Sequence, residues 1–480
     1  MSQDYASMVE NSYNTPPKYT EIKAGVPEDF EDITTLRDLL AIDYKMVEVR
    51  QQIRKNLISI MNQGGTKYPG IIGFDEDVIP ALDRALLSQH DVFLIGQIGQ
   101  AKTKLVETIA THLLSPIPVI KNSLTNDCPM DLPSSDLIAL LEERDVTKTT
   151  PTFYISPESS DKIRNEKLDT EIEWLDGKSR FKYVLATPDI SVKDLVGYID
   201  AIKVAKKGVE MFKIDSYSPG QLMQAKHGLF CIDELPVLDP RKQVALLSVL
   251  QEGRFTTGSY PVIFKPKTVF FATANPIDYT HSGKIIEPLY DRLKSHIHTH
   301  YPKTLEAEMA IILQESKIPS SFIPYIVMKT LANLVQKTRE NPLVNQEKGV
   351  SVRFGVHGLE LLVGEAERVR SLSHQLNPVP RITDMSCLDQ VAKFELSELD
   401  DTLENRKKVF ADILQESIKE SCLKLLESTD STVLQSIKEE FGEKTFAVSS
   451  QMLWKNGSAS YENQLNEFTQ LTKLVNSKID

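Results

Sequence analysis

One stretch constrains the fold more than any other: DVFLIGQIGQAKTKLVETIATHLL, residues 91–114. An apolar run enters a glycine-bearing turn, and Lys102-Thr103 then open an amphipathic helix. Backbone amides of Gly96, Gln97, Ile98, Gly99, Gln100 and Ala101, aimed from a positive helix end, can cradle phosphate oxygens. Lys102 can neutralise the β and γ phosphates, the Thr103 hydroxyl can ligate Mg²⁺, and Lys104 completes the candidate ATP loop. The usual pattern has glycine directly before the lysine. Ala101 stands there instead, and its methyl group is expected to fit only if φ stays negative. Alone, such a match competes with a strand–turn–helix joint that carries an ordinary surface lysine.

The surrounding pattern predicts an α/β fold with a parallel sheet between helices, followed by an all-α region. The expected strands are DVFLIG (91–96), IPVIKNS (117–123), GLFCIDE (228–234) and KTVFFATANP (267–276). Helices fit residues 75–90, 101–115 and 240–251. After Pro302 the periodicity becomes helical, as in LEAEMAIILQES and IPYIVMKTLANLVQKTRE. Residues 34–66 are expected to form an N-terminal helix that Asp43 interrupts and Gly64-Gly65 close. Residues 1–33 are polar, carry Pro16, Pro17 and Pro27, and are expected to be a mobile leader with no fixed fold. The proline-bearing stretch at about 128–182 is expected to be an irregular insert.

GLFCIDE delivers Asp233 and Glu234 at the carboxyl end of a strand, where open α/β sheets bind ligands. Two acids there call for a cation: Asp233 can hold Mg²⁺ through water, and Glu234 can polarise an attacking water. Asn275 ends the next strand and could orient that water, although alone it reads as a strand cap before Pro276. Arg292 in LYDRLKSH and Arg353 in GVSVRFGVHG alone read as solvated helix-end arginines.

The formal charge of −12 is spread without basic runs, so no chain-wide footprint for nucleic acid or an anionic membrane is expected. No segment approaches the roughly 18 apolar residues of a membrane span, and the expected location is the cytoplasm. The four cysteines lie far apart without CxxC spacing, which argues against a disulfide framework or a zinc site.

Taken together and in this order, the motifs from about Tyr68 to Arg370 resemble the AAA+ ATPases of the MoxR and magnesium-chelatase I-subunit type, in which alanine commonly precedes the phosphate-loop lysine. The resemblance implies a P-loop AAA+ core over 67–300, a helical lid over 301–400 and a helical C-terminal extension over 401–480. It also implies one hairpin insert at about 200–220 and a second at about 253–268. By the same resemblance Asp233 and Glu234 are the Walker B acids, Asn275 is sensor 1, Arg292 the arginine finger and Arg353 sensor 2. The implied activity is ATP hydrolysis with Mg²⁺ by a ring of six subunits that remodels a partner protein or helps insert a cofactor or metal into it. The implied partner carries a von Willebrand factor A domain, with the client unknown. Two alternatives stand beside this: a DNA-associated AAA+ motor or transcription activator, for which no GAFTGA-like loop is seen, and a nucleotide-dependent scaffold that does not hydrolyse ATP.

Overall fold

The computed structural model describes residues 4–144, 152–199, 217–252, 255–256, 263–264, 266–276, 285–318, 322–370, 379–397, 401–427, 429–444 and 465–477. The chain divides into two units, one made of residues 1–96 and 101–300, the other of residues 97–100 and 301–480.

In the first unit five strands run parallel: β1 (Val92–Ile95), β2 (Phe181–Leu185), β3 (Leu229–Asp233), β4 (Val269–Ala274) and β5 (Ser295–His298). Their order across the sheet is β5-β1-β4-β3-β2. Parallel strands need crossover helices, so both faces of the sheet are covered and its central strands read as unbroken apolar runs. Successive side chains supply opposite faces. Phe93, Phe230, Ile232 and Phe270 join Leu195, Leu222 and Leu289 on one side. Val92, Leu94, Leu229, Cys231 and Phe271 join Leu57, Leu82, Leu105 and Ile109 on the other.

Two expectations need correction here. The run at 117–123 does contain a strand, but Ile117–Ile120 pairs antiparallel with Ile172–Leu175, outside the central sheet. The place beside β3 belongs to β2, whose first residues fall inside the stretch expected to be an irregular insert. As an edge strand, β2 buries Val184 while Tyr183 and Leu185 stay 42% and 46% exposed. It therefore lacks the unbroken apolar signature of its neighbours. The stretch also contains helices Ser134–Leu141 and Pro157–Glu166.

The leader is likewise ordered. Tyr5–Asn14 is a helix whose N-cap, Asp4, accepts from the Ser7 amide at 3.1 Å. Val9 is fully buried with Leu36, Leu39, Leu137, Leu141 and Ile163. The Tyr13 hydroxyl donates to the Leu132 carbonyl at 2.7 Å, and Lys45 donates to the carbonyls of Ser12 and Tyr13. The leader's few apolar side chains thus gain part of their core from residues more than a hundred positions downstream, which local periodicity does not report. The helix expected over 34–66 is two helices, Leu36–Ala41 and Val49–Gln63, with Asp43 at φ 53° between them and Gly64 at φ 67° ending the second.

Of the first expected hairpin, residues 200–216 lie outside the described residues, and its flanks Gly197–Ile199 and Tyr217–Pro219 pair antiparallel. Of the second, Phe255–Thr256 pairs antiparallel with Ile263–Phe264, and residues 257–262 lie outside the described residues.

The second unit is helical among its described residues, with Leu305–Glu315, Tyr325–Glu340, Arg353–Arg370 and Leu403–Leu426 as its main helices. Val409, Phe410 and Ile413 share one core with Leu331, Val335 and Leu359, so packing places no boundary at residue 400. Glu308 and Arg339 form a buried bidentate pair, with nitrogen–oxygen distances of 2.5 and 3.0 Å.

Beneath β3 and β4 lies a cluster of buried charges. Lys226 Nζ is 3.1 Å from Asp127 and 3.5 Å from Asp131, while His227 Nε2 and Lys267 Nζ lie 3.1 and 2.5 Å from Asp131. Burial pushes the His227 imidazole down to about 4, against the pull of Asp131. Above pH 6.5 the ring is neutral in folded and unfolded chains alike and contributes nothing to pH dependence. Between 6.5 and about 4 only the unfolded chain takes up the proton, so stability falls as pH falls. Urea unfolding is expected to show a loss of about 2 kcal/mol from this group between pH 7 and pH 5. His227→Gln should flatten the profile in that window. An unchanged profile in the variant would assign the acid sensitivity to other groups.

Candidate functional site

The turn after β1 is tied to the sheet by the Gly96 amide, which donates to the Ala274 carbonyl at 3.0 Å. The helix α1 (Lys102–Leu113) begins immediately beyond the turn. Lys102 Nζ folds back to donate to the Gly96 carbonyl at 2.5 Å, which places the ammonium over the turn. Gly99 sits at φ 78°, and a Cβ there would come within 2.1 Å of Ser351 Oγ. The side-chain amide of Gln97 donates to the carbonyls of Gln346 and Glu347, and Tyr301 donates to the carbonyl of Ile98 at 2.9 Å. Gln100 is buried and accepts from the Gln97 amide at 3.0 Å, while Lys104 is half-buried on the first turn of α1.

The expectation for Ala101 is reversed. It caps α1 at φ 53°, in the left-handed region, although it carries a Cβ. The turn reverses sharply into the helix and requires that conformation whichever residue stands there. Alanine in it costs about 1–2 kcal/mol relative to its preferred backbone.

The register of β3 between β2 and β4 assembles the acid end of the site. Ile232 pairs with Ala272 and Cys231 with Tyr183, so Asp233 leaves the sheet beside Thr273 and diagonal to Tyr183 on one face. Tyr183 donates to Asp233 Oδ2 at 2.6 Å, and the Thr273 hydroxyl donates to Oδ1. Thr103 Oγ1, at the start of α1, lies 3.5 Å from the same Oδ2. Burial, and then the bond to Asp233, raise the Tyr183 pKa, so its hydroxyl stays a donor.

Glu234 turns out of the strand at φ 57°, exposed, and its amide donates to Thr273 Oγ1 at 3.1 Å. Two non-glycine residues with positive φ, Ala101 and Glu234, thus sit on the two segments that meet here, where strain of about 1–3 kcal/mol each is typical of functional sites. Asn275 follows Ala274, the residue whose carbonyl holds Gly96.

Lys102, Thr103, Asp233, Glu234 and Asn275 therefore gather at the carboxyl edge of β1, β3 and β4. Arg292 is not among them: it is exposed at the end of helix Glu287–Arg292 and makes no hydrogen bond or ion pair among the described residues. Arg353 opens helix Arg353–Arg370 in the second unit, and its side chain is exposed. Tyr183 and Thr273 were not anticipated. Thr273 stands two residues before Asn275 in a strand that was anticipated, whereas Tyr183 required knowing that β2 exists.

A model of the Sigma-54 interaction domain family matches residues 213–298. Over 221 residues the chain is 25% identical to the uncharacterized protein YeaC of Bacillus subtilis, covering 42% of this chain and 64% of YeaC. A 100-residue stretch is 26% identical to acetylglutamate kinase of Synechocystis sp., covering 21% of this chain and 32% of that protein. The chain thus spans less than two thirds of the length of either relative. The complex between subunits BchI and BchD of magnesium chelatase superposes with a TM-score of 0.35 at 16% identity, covering 71% of this chain and 98% of that one. NtrX from Brucella abortus superposes with a TM-score of 0.38 at 14% identity, covering 76% and 67%. None of these likenesses assigns an activity.

The strain at Ala101 is measurable. Ala101→Gly is expected to raise the unfolding free energy by about 0.5–1 kcal/mol in denaturant titration, relief of the left-handed Cβ outweighing the added chain entropy. A loss of stability would mean that the methyl group packs favourably enough to offset its backbone cost. A parallel sheet in the order β5-β1-β4-β3-β2, a lysine-bearing turn after β1, paired acids on the strand two places away and a helical unit later in the chain give an α/β core with a P-loop-like turn, followed by an all-α region.

Proposed function

We propose that this chain is an Mg-ATP-hydrolysing motor that works as a ring and remodels a partner protein or helps insert a cofactor or metal into it. The observation that carries the reading is the approach of Thr103 Oγ1 to Asp233 Oδ2, 3.5 Å apart beneath a turn that holds Lys102. Two hard oxygen donors so close suit a small divalent cation. Thr103 and Asp233 would hold Mg²⁺, which supplies charge neutralisation on the phosphates.

In this reading the amides from Gly96 to Lys104 orient the triphosphate, and the Lys102 ammonium leaves Gly96 to pair with phosphate oxygens. Glu234, exposed and just past the sheet, takes a proton from the attacking water while Asn275 orients it. Arg292 is exposed at the end of helix Glu287–Arg292, which suits a role on ATP held by a neighbouring subunit. Head-to-tail contacts of that kind close into rings, six subunits being the proposed number. Arg353 would report the nucleotide state to the helical unit. The partner with a von Willebrand factor A domain and the cytoplasmic location are part of the same proposal.

The Sigma-54 interaction domain match over 213–298 favours a second reading, a DNA-associated motor or transcription activator. A Glu234→Gln trap, recovered from the native cell and identified by mass spectrometry, separates the two by whether a client protein or the transcription apparatus is held. Complete absence of ATP turnover by the wild-type protein, with binding intact, would favour a nucleotide-dependent scaffold.

Calorimetric titration is expected to show that Lys102→Ala lowers ATP affinity by about 100-fold, because the phosphate charge is left uncompensated. Glu234→Gln should bind ATP normally and turn it over about 10²–10⁴-fold more slowly. Wild-type affinity in the first variant, or near-normal turnover in the second, would remove that residue from its role.

Arg292→Ala should bind ATP and lose about 10³-fold in rate. Mixing it with Glu234→Gln before assembly should restore activity at interfaces that combine one intact Glu234 with one intact Arg292. A mixture as inactive as its parents, with subunit exchange demonstrated, would rule out action between subunits.

A further inference from the structure

We propose, on the basis of the nucleotide-site reading above, that Tyr183 is a positioning residue that fixes the Asp233 carboxylate for the divalent cation. A carboxylate turns easily about its last torsion, which is broad and two-fold. Asp233 is denied that freedom from two sides: Thr273 on β4 donates to Oδ1, and Tyr183 on β2 donates to Oδ2 at 2.6 Å. Both restraints come from rigid neighbours within the sheet, and the backbone carbonyl of Asp233 is itself held by the Ala186 amide at 2.9 Å. The oxygen that Tyr183 holds is the one 3.5 Å from Thr103 Oγ1. That oxygen has two lone pairs, so with Tyr183 on one the other remains to be offered toward Thr103.

The tyrosine is suited to the task for a further reason. It stands opposite Cys231 in the register, one pleat before Asp233, where a side chain must reach diagonally to meet the carboxylate. A tyrosine spans that diagonal with only two torsions to fix, and 42% of its surface remains exposed. An exposed edge-strand tyrosine could satisfy its hydroxyl with water, yet here the hydroxyl is directed to the acid.

Tyr183→Phe keeps the ring and removes the donor, so it tests the bond rather than the packing. Binding of a fluorescent ATP analogue is measured in EDTA and then across a Mg²⁺ titration, and Mn²⁺ binding to the nucleotide complex is followed by electron paramagnetic resonance. The expected result is wild-type affinity in EDTA, with the Mg²⁺ concentration for half-maximal effect raised about 3- to 10-fold and Mn²⁺ held correspondingly more weakly. A Mg²⁺ dependence equal to or lower than wild type overturns the proposal. So does an equal loss of affinity in EDTA, since Tyr183 would then support the fold rather than the carboxylate. Failure of the wild-type protein to bind nucleotide at all would overturn the site reading itself, an outcome the wild-type control shows separately from the behaviour of Tyr183→Phe.

Discussion

The acid end of the candidate site depends on the register of β3 between β2 and β4. Slipping one strand by a single residue would send Asp233 to the opposite face, away from Thr103, and would bury Ile232 where Cys231 now packs. The register is protected because both faces are covered: Phe230 and Ile232 commit to one core, Leu229 and Cys231 to the other. The acids at the strand end thus inherit their positions from apolar residues that never approach the site.

The amino ends of the same strands are held by charge as well as by apolar packing. Lys226 and His227 precede β3, Lys267 precedes β4, and Asp127 and Asp131 reach all three from the segment after Ile117–Ile120. Arg180, fully buried at the start of β2, donates to the His227 carbonyl and to Gln52, and burial draws its pKa down to about 9. Buried groups of this kind do not raise stability by themselves, because desolvation offsets most of their attraction. They do penalise any arrangement that leaves one unpaired, so they select a single seating of the strands.

How much of this is legible in sequence follows from which signals are local. β1, β3 and β4 announce themselves as apolar runs, and the turn at 96–104 does so through glycine and Lys102-Thr103. β2 does not, because Lys182 interrupts its apolar run and the polar residues DGKSR lead straight into it. Ile117–Ile120 is apolar enough to be a strand, yet nothing in its composition says which partner it takes. Thr273 and Tyr183 acquire their roles only through pairing across strands. The left-handed backbone of Ala101 is a demand of the turn, which the residue itself opposes.

The docking of helix Tyr5–Asn14 bears on the order in which the chain can mature. The core that receives Val9 includes Leu137, Ile163 and Leu168. A ribosome must therefore release more than 160 residues before the first helix meets its whole core. Until then its tyrosines stand in water, tethered at the far end of a closing loop whose entropy cost grows only slowly with length. The beginning of the chain is thus among the later parts to become native, and growth from the amino end does not translate into folding from the amino end.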